Sequence, residues 1–335
     1  MSSGGERIQL GHGGGGTLMQ ELIAQEFLRL YPDPSAPLHD AARLQLPHGR
    51  LAFCSDGYVV QPLEFAGGDI GKLAVTGTAN DLAMAGARPL HLSASFIFEE
   101  GLPLALLRRL VASMVAAAHD CGVTIVTGDT KVVERGKADG VFITTSGIGL
   151  VEADGPIDPG VITPGDQLLL SGDLGRHGLA ILAARHGLDL QPPVASDCAP
   201  LWPQVEAILA AGAVPHCLRD LTRGGLGSAL AELAAASGCD MVLDEAAVPL
   251  APGVAASCQL LGLEPLHLAN EGRFVAVVPA EQLAAAEAVL APGGGRWVGA
   301  VQAAASPQPL VRLRTGLGSQ RVLPPFSGEM LPRIC

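Results

Sequence analysis

The 335-residue chain has 21 Lys and Arg against 33 Asp and Glu, a formal charge of −12, which argues against a nucleic-acid partner because phosphate backbones select surplus cations. Hydrophobic residues make up 48% of it, yet no unbroken apolar run approaches the roughly 18 to 20 residues that cross a bilayer, so a soluble protein of two domains is expected. The start MSSGGERIQLGHGGGG lacks the basic head and apolar block of a secretory signal, which points to the cytoplasm. Seven cysteines, at 54, 121, 198, 217, 239, 258 and 335, form no C-x-x-C pair and fit free thiols better than a disulfide framework or a zinc knuckle.

In chain order, residues 17–31 repeat apolar positions at helical spacing and read as an amphipathic helix stopped by Pro32 and Pro34. Short apolar runs at 51–54, 90–98, 123–127 and 141–151 read as strands, with helices at 70–86 and 103–121 between them. The stretch 152–166 concentrates Gly, Pro and Asp and marks a junction. Beyond it come a strand at 167–172, helices near 177–187, 200–212 and 223–237, and strands at 239–243 and 273–279. Strands in pairs and helices in runs, without strict βαβ alternation, predict an α+β fold. The expected division is a Gly-rich leader and first helix (1–40), an N-terminal nucleotide-binding domain (41–155), a C-terminal α+β domain (156–314) and a tail (315–335). That tail has three prolines and three glycines and reads as extended and mobile, hinged at Pro324-Pro325 and Gly328.

Several motifs carry chemistry. Gly11-His12-Gly13-Gly14-Gly15-Gly16 formally matches G-x-G-x-x-G and lets backbone N–H groups approach phosphate, but no strand precedes it and a flexible leader explains it equally. Gly71-Lys72 ends like a P-loop, yet Ala66 and Leu73 stand where Gly and Ser or Thr are required. Asp56, Asp81, Asp129 and Asp220 each lie beside a small residue or at a strand-to-loop transition, where a carboxylate can hold Mg²⁺. Singly, each is as well explained as a turn or cap residue; together they suggest a phosphate-bound metal. Lys131, two residues past Asp129, falls on the same side of an extended chain and can neutralise phosphate charge. His177 and Glu271 are candidate acid–base groups, with a helix start and a turn as their local explanations. Cys335 ends the chain after Pro332-Arg333-Ile334, with no packing duty to account for it, and a thiolate is a strong nucleophile and carrier.

The elements GHGGGG, GGDIGKLAVTGTANDLAMAGARP, TGDTKVVERGKADG, RDLTRGGL, NEGR and the terminal PRIC resemble the HypE family of hydrogenase expression/formation proteins across nearly the whole length. The internal motifs are shared with the wider superfamily of aminoimidazole-ribonucleotide synthetase, selenophosphate synthetase and thiamine-monophosphate kinase; only the tail singles out HypE. The resemblance implies two α+β domains, a homodimer through N-terminal-domain strands, and ATP with Mg²⁺. It implies dehydration of a carbamoyl group on Cys335 to a thiocyanate, supplying cyanide to the iron of [NiFe]-hydrogenases, with the transferase HypF as donor and a HypC–HypD complex as acceptor. The matched positions put Asp56, Asp81, Asp129 and Asp220 on Mg²⁺–ATP, Lys131 on phosphate, His177 on phosphate or amide, Asn270 on the carboxamide and Glu271 as base, with Asp69 and Asn80 completing the nucleotide site. Two readings stay open beside it: a superfamily relative that phosphorylates a small free substrate, and a non-enzymatic thiol carrier or scaffold.

Overall fold

The structure is a computed structural model that describes residues 6–31, 33, 39–324 and 333–335. Among these, no helix is long and apolar enough to cross a membrane. The first helical stretch begins as α1 (Thr17–Leu22), continues as a π-helical turn over Ile23–Phe27 and closes as a 3₁₀ turn over Leu28–Leu30. One continuous helix to residue 31 was expected; the change of winding accompanies the seating of Phe27 against Phe96 and Phe98, ring centroids 5.0 and 6.1 Å away. Pro32 and Pro34, the expected stops, lie outside the described residues.

The N-terminal half contains β1 (Leu51–Tyr58), the short pair β2 (Glu64–Phe65) and β3 (Gly68–Asp69), α2 (Ile70–Met84), β4 (Ala87–Glu99), α3 (Leu104–Cys121), β5 (Thr124–Val133) and β6 (Val141–Val151). Its four-stranded sheet runs β1-β6-β4-β5, antiparallel except for β4 and β5, which α3 connects in parallel. Alternation along β4 puts Leu92, Ala94, Phe96 and Phe98 into the core beneath the helices. The other face stays open, leaving Phe53 71%, Leu51 47% and Ile97 42% exposed.

The C-terminal half comprises β7 (Gln167–Leu170), α4 (Arg176–His186), α5 (Trp202–Ala210), β8 (Cys217–Asp220), α6 (Gly225–Ser237), β9 (Cys239–Asp244), α7 (Val254–Leu261), β10 (Phe274–Val278), α8 (Leu283–Leu290), β11 (Arg296–Ala303), β12 (Val311–Arg314) and β13 (Gln320–Val322). Its seven strands are ordered β13-β12-β9-β11-β7-β10-β8. The α+β class follows from these two helix-covered, mainly antiparallel sheets. The interior strand β10, between β7 and the edge strand β8, is buried at all five positions, which explains its unbroken apolar run.

The end of the chain departs from the extended tail expected over 315–335. Residues 320–322 form β13, which pairs antiparallel with β12; the turn closes through Thr315 N–H to the Ser319 carbonyl and the Gly318 N–H to the Thr315 carbonyl, both 2.8 Å. Pro325 and Gly328, two of the expected hinge residues, lie outside the described residues. The last three residues are docked: Val59 N–H donates to the Cys335 carbonyl at 3.0 Å and Gln61 N–H to the Arg333 carbonyl at 3.2 Å. Ile334 is buried in the N-terminal core with Cys335 packed against it.

Candidate active site

Three strand or helix positions converge first. Asp56 comes from β1, Asp81 from α2 and Asp220 from the end of β8. Asp56 and Asp81 share a hydrogen bond, and Asp220 acts on both. Burial, reinforced by Asp220 and Asp56, pushes the Asp81 carboxyl up to about 8. Burial likewise raises Asp220, against the opposing pull of Arg219, 3.6 Å away. A hard cation relieves such repulsion through the same oxygens. The three carboxylates therefore fit Mg²⁺ chemically, although no three His, Cys, Asp or Glu donors among the described residues are preformed with metal-ligand spacing.

Asp129 and Lys131, expected in the same group, are not brought to it within one chain. Registered strand neighbours share a sheet face. Asp56 is registered with Thr145, whose hydroxyl donates to the Ala74 carbonyl of α2 at 2.8 Å, so Asp56 faces the helices. Asp129 is registered with Ser95, and Ser95 with Thr144, on the open face. There its carboxylate takes a 2.5 Å ion pair from Lys131, which, with the Thr130 N–H, holds it below the usual carboxylate range. Asp129 also lines a cavity of about 770 Å³ between the N-terminal helical stretch and β4–β5, with Ile23, Phe27, Tyr31, Phe96 and Gly128.

Glu271 stands before β10 with 3% of its surface exposed. Its Oε1 is buried without a hydrogen-bond partner. Burial raises its pKa well above the carboxylate range, helped by Asp220 and Asp197 and opposed by Arg223. The backbone around it is fixed by Asp197, whose two carboxylate oxygens accept from Glu271 N–H at 3.2 Å and Gly272 N–H at 3.3 Å. Gly272 has to be glycine: a Cβ there would collide with the Asp197 carbonyl oxygen. The neighbouring loop is as tight, since a Cβ at Gly225, whose φ is +60°, would collide with the Leu268 carbonyl oxygen.

Four expected site residues have their polar atoms committed elsewhere. Asn270 accepts from Gly175 N–H at 2.7 Å and donates to the Leu268 and Leu221 carbonyls, so both of its amide atoms are already tied to backbone. Asn80 accepts from Leu201 N–H at 2.8 Å and donates to the Ala199 and Glu271 carbonyls, tying α2 to the segment that carries the base candidate. Asp69 caps α2 by accepting from Lys72 N–H at 2.9 Å. His177 is fully buried, and burial lowers its pKa, so the ring is neutral. Its Nε2 lies 2.8 Å from the Ile334 carbonyl and its Nδ1 2.8 Å from Ser196 Oγ. A carbonyl only accepts, so Nε2 carries the proton and Nδ1 accepts from Ser196. Both ring nitrogens are engaged, and His177 holds the tail rather than a phosphate or an amide.

That hold brings Cys335 into the site. Burial pushes its thiol up to about 12; Glu271 adds to this, Arg223 opposes it, and Asp56 and Asp220 contribute further. The docked thiol is thus neutral, surrounded by the acidic groups and one counter-cation. Arg223, on the β8–α6 loop, has no hydrogen bond or ion pair among the described residues and belongs to the RDLTRGGL element, yet its own chemistry drew no expectation. Asp197 and Ser196 were missed as well; the segment 188–199 has no periodicity to single them out.

The two α+β halves place the chain in the class of AIR synthase related proteins, whose N-terminal domain model matches residues 38–151 and whose C-terminal domain model matches 163–308. The chain is 50% identical to the carbamoyl dehydratase HypE of Rhodobacter capsulatus, over 98% of both chains. It superposes with a TM-score of 0.93 on a crystal structure of the hydrogenase maturation protein HypE in complex with ATP, 45% identical and covering 98% of this chain and 100% of that one. A crystal structure of a HypE–HypF complex matches with a TM-score of 0.79 at 38% identity, over 92% of this chain and 100% of that one. The chain belongs to the HypE family of carbamoyl dehydratases.

Proposed function

We propose that the chain dehydrates an S-carbamoyl group on its own Cys335 to a thiocyanate with ATP, as a source of cyanide for the iron of [NiFe]-hydrogenase. One observation carries this reading: the docked C-terminal thiol lies within electrostatic reach of Glu271, a buried carboxyl with an unpartnered oxygen. A free-substrate kinase has no need of a terminal cysteine in its centre.

The carboxamide oxygen of the S-carbamoyl group attacks the γ-phosphorus and ADP leaves; loss of one N–H proton gives S–C(=NH)–O–phosphate. Glu271 takes the remaining N–H proton, those electrons become the third C–N bond, and the C–O bond breaks to expel phosphate. Dehydration is thereby an elimination from an activated oxygen. Raising Glu271 toward neutrality makes it a stronger base once ionised. Asp56, Asp81 and Asp220 would hold Mg²⁺, which when bound screens the charge of the polyphosphate. Asn80 and Asp197 keep the Glu271 backbone in place, and His177 holds the Ile334 carbonyl next to Cys335.

The open face of the first sheet, with Phe53, Leu51 and Ile97 exposed, supports a homodimer through N-terminal strands. Asp129 and Lys131 stand on that face, where a second copy would bring further groups to the nucleotide phosphates; the adjoining cavity has the size and apolar lining for a purine nucleoside. The relative crystallised with HypF supports a carbamoyl-donating transferase as partner, with a HypC–HypD complex receiving the cyanide in the cytoplasm. Glu271→Gln keeps shape and removes the base. It should still bind ATP and accept the carbamoyl group while slowing thiocyanate formation about 10²- to 10⁴-fold; an unchanged single-turnover rate removes Glu271 as the base.

A further inference from the structure

Three segments distant in sequence meet at one exposed guanidinium. Arg185 lies in the last turn of α4. Its Nε and Nη2 donate to the Gln61 carbonyl at 3.1 and 2.8 Å, and Nη2 also donates to the Arg333 carbonyl at 2.9 Å. Gln61 N–H reaches the same Arg333 carbonyl. The Arg333 side chain meanwhile pairs with Asp139 between β5 and β6.

Two features make this more than a surface contact. The two bonds to Gln61 do not involve the tail, so the guanidinium stays oriented when the tail leaves and offers a preorganised receptor on its return. One planar group donates to two carbonyls at once, a geometry that an ammonium matches poorly. Arg333 is also the non-glycine residue with positive φ (+55°) among the described residues, a backbone region that L-residues rarely occupy without support. The docked tail is thus held by specific ties against a local backbone preference for leaving.

We propose that Arg185 is a positioning residue of the reaction: a clasp that joins the end of α4, the Gln61 loop and the tail, and so keeps Cys335 at Glu271 during dehydration. This rests on the reading of Cys335 as carrier. The clasp favours the inward tail, where the chemistry occurs, over the outward tail, from which the thiol meets a donor or an acceptor.

The test is the rate at which iodoacetamide alkylates Cys335 in the intact protein, followed by the mass of the C-terminal peptide so that Cys54, the other half-buried thiol, is scored apart. Arg185→Ala should alkylate about tenfold faster, the equivalent of one charge-assisted hydrogen bond of about 1.4 kcal/mol. Arg185→Lys, which preserves charge and helix-end electrostatics, should also be faster than the parent. With a carbamoylated tail, the kcat of dehydration should fall in both variants while carbamoylation by the transferase does not. Alkylation at the parental rate in both variants overturns the clasp. Faster alkylation in both, from a parent protein that never forms thiocyanate, supports the clasp and overturns the carrier reading instead.

Discussion

Replacing Asp81 by Asn should stabilise the protein in the absence of nucleotide. Burial and the neighbouring Asp220 and Asp56 carboxyls raise Asp81 from 3.8 to about 8. For an acid, a raised folded pKa means that the folded state binds the proton more tightly. The associated stability is complete below 3.8 and is lost as pH climbs toward 8. Each unit corresponds to about 1.36 kcal/mol, so the roughly three units between the unfolded value and neutrality set a ceiling near 4 kcal/mol. Asp56 and Asp220 share that repulsion, so removing one member should recover about half, or ~2 kcal/mol. In a chain of this length that is a rise in Tm of about 3 °C. Calorimetry with a chelator should show the gap between Asp81→Asn and the parent growing from near zero at about pH 4 to its maximum at about pH 8. Mg²⁺–ATP should then stabilise the parent and leave the variant nearly unmoved, because ligand that binds only the folded state adds stability in proportion to its affinity. A variant less stable than the parent at pH 8, or a gap that ignores pH, would refute the idea that these carboxylates oppose one another.

Two further outcomes follow from the same centre. The dehydration rate should fall as pH drops through a value well above the ordinary Glu pKa of about 4.3, since the base acts only when ionised and burial raises its pKa; an acid limb near the ordinary value would contradict the burial of Glu271. Gly272→Ala should destabilise by about 1 to 3 kcal/mol in urea denaturation, because the added methyl meets backbone that cannot rotate away; a variant as stable as the parent would mean that the Asp197 loop yields.

The α+β class was legible because its main strands are apolar or β-branched runs with the period of a sheet, as at 90–98 and 273–279, and its longer helices repeat at 3.6 residues. The strand β8 was not, being four residues, two of them Arg219 and Asp220, whose place in the sheet is set by pairing with β10. The helices α7 and α8 are eight residues each, too short for periodicity to distinguish from loop, and the β12–β13 hairpin hid behind the glycines of its own turn. At the site, the pattern of carboxylates beside a glycine or at a strand-to-loop transition pointed to Asp56, Asp81 and Asp220. The same pattern pointed to Asp129, whose position depends on which face of a sheet it occupies, a property of strand register rather than of composition. The backbone duties of Asn80 and Asn270 were equally hidden, because most of their partners lie far away in sequence; the cap that Asp69 makes on Lys72 is local, and an Asp just before a helical run is its signal. The side-chain hydrogen bonds of Asp197 and Arg185 go to residues 74 or more positions away.

Cys335 is proposed as both the carrier and the site of the chemistry. That dual role is tested most directly by the intact mass of the C-terminal peptide after incubation with the carbamoyl-donating transferase, with and without Mg²⁺–ATP. A carbamoyl adduct on Cys335 that loses the mass of one water only when nucleotide is present is the result expected here. An adduct that persists unchanged with nucleotide, or no adduct from a competent transferase, would contradict it.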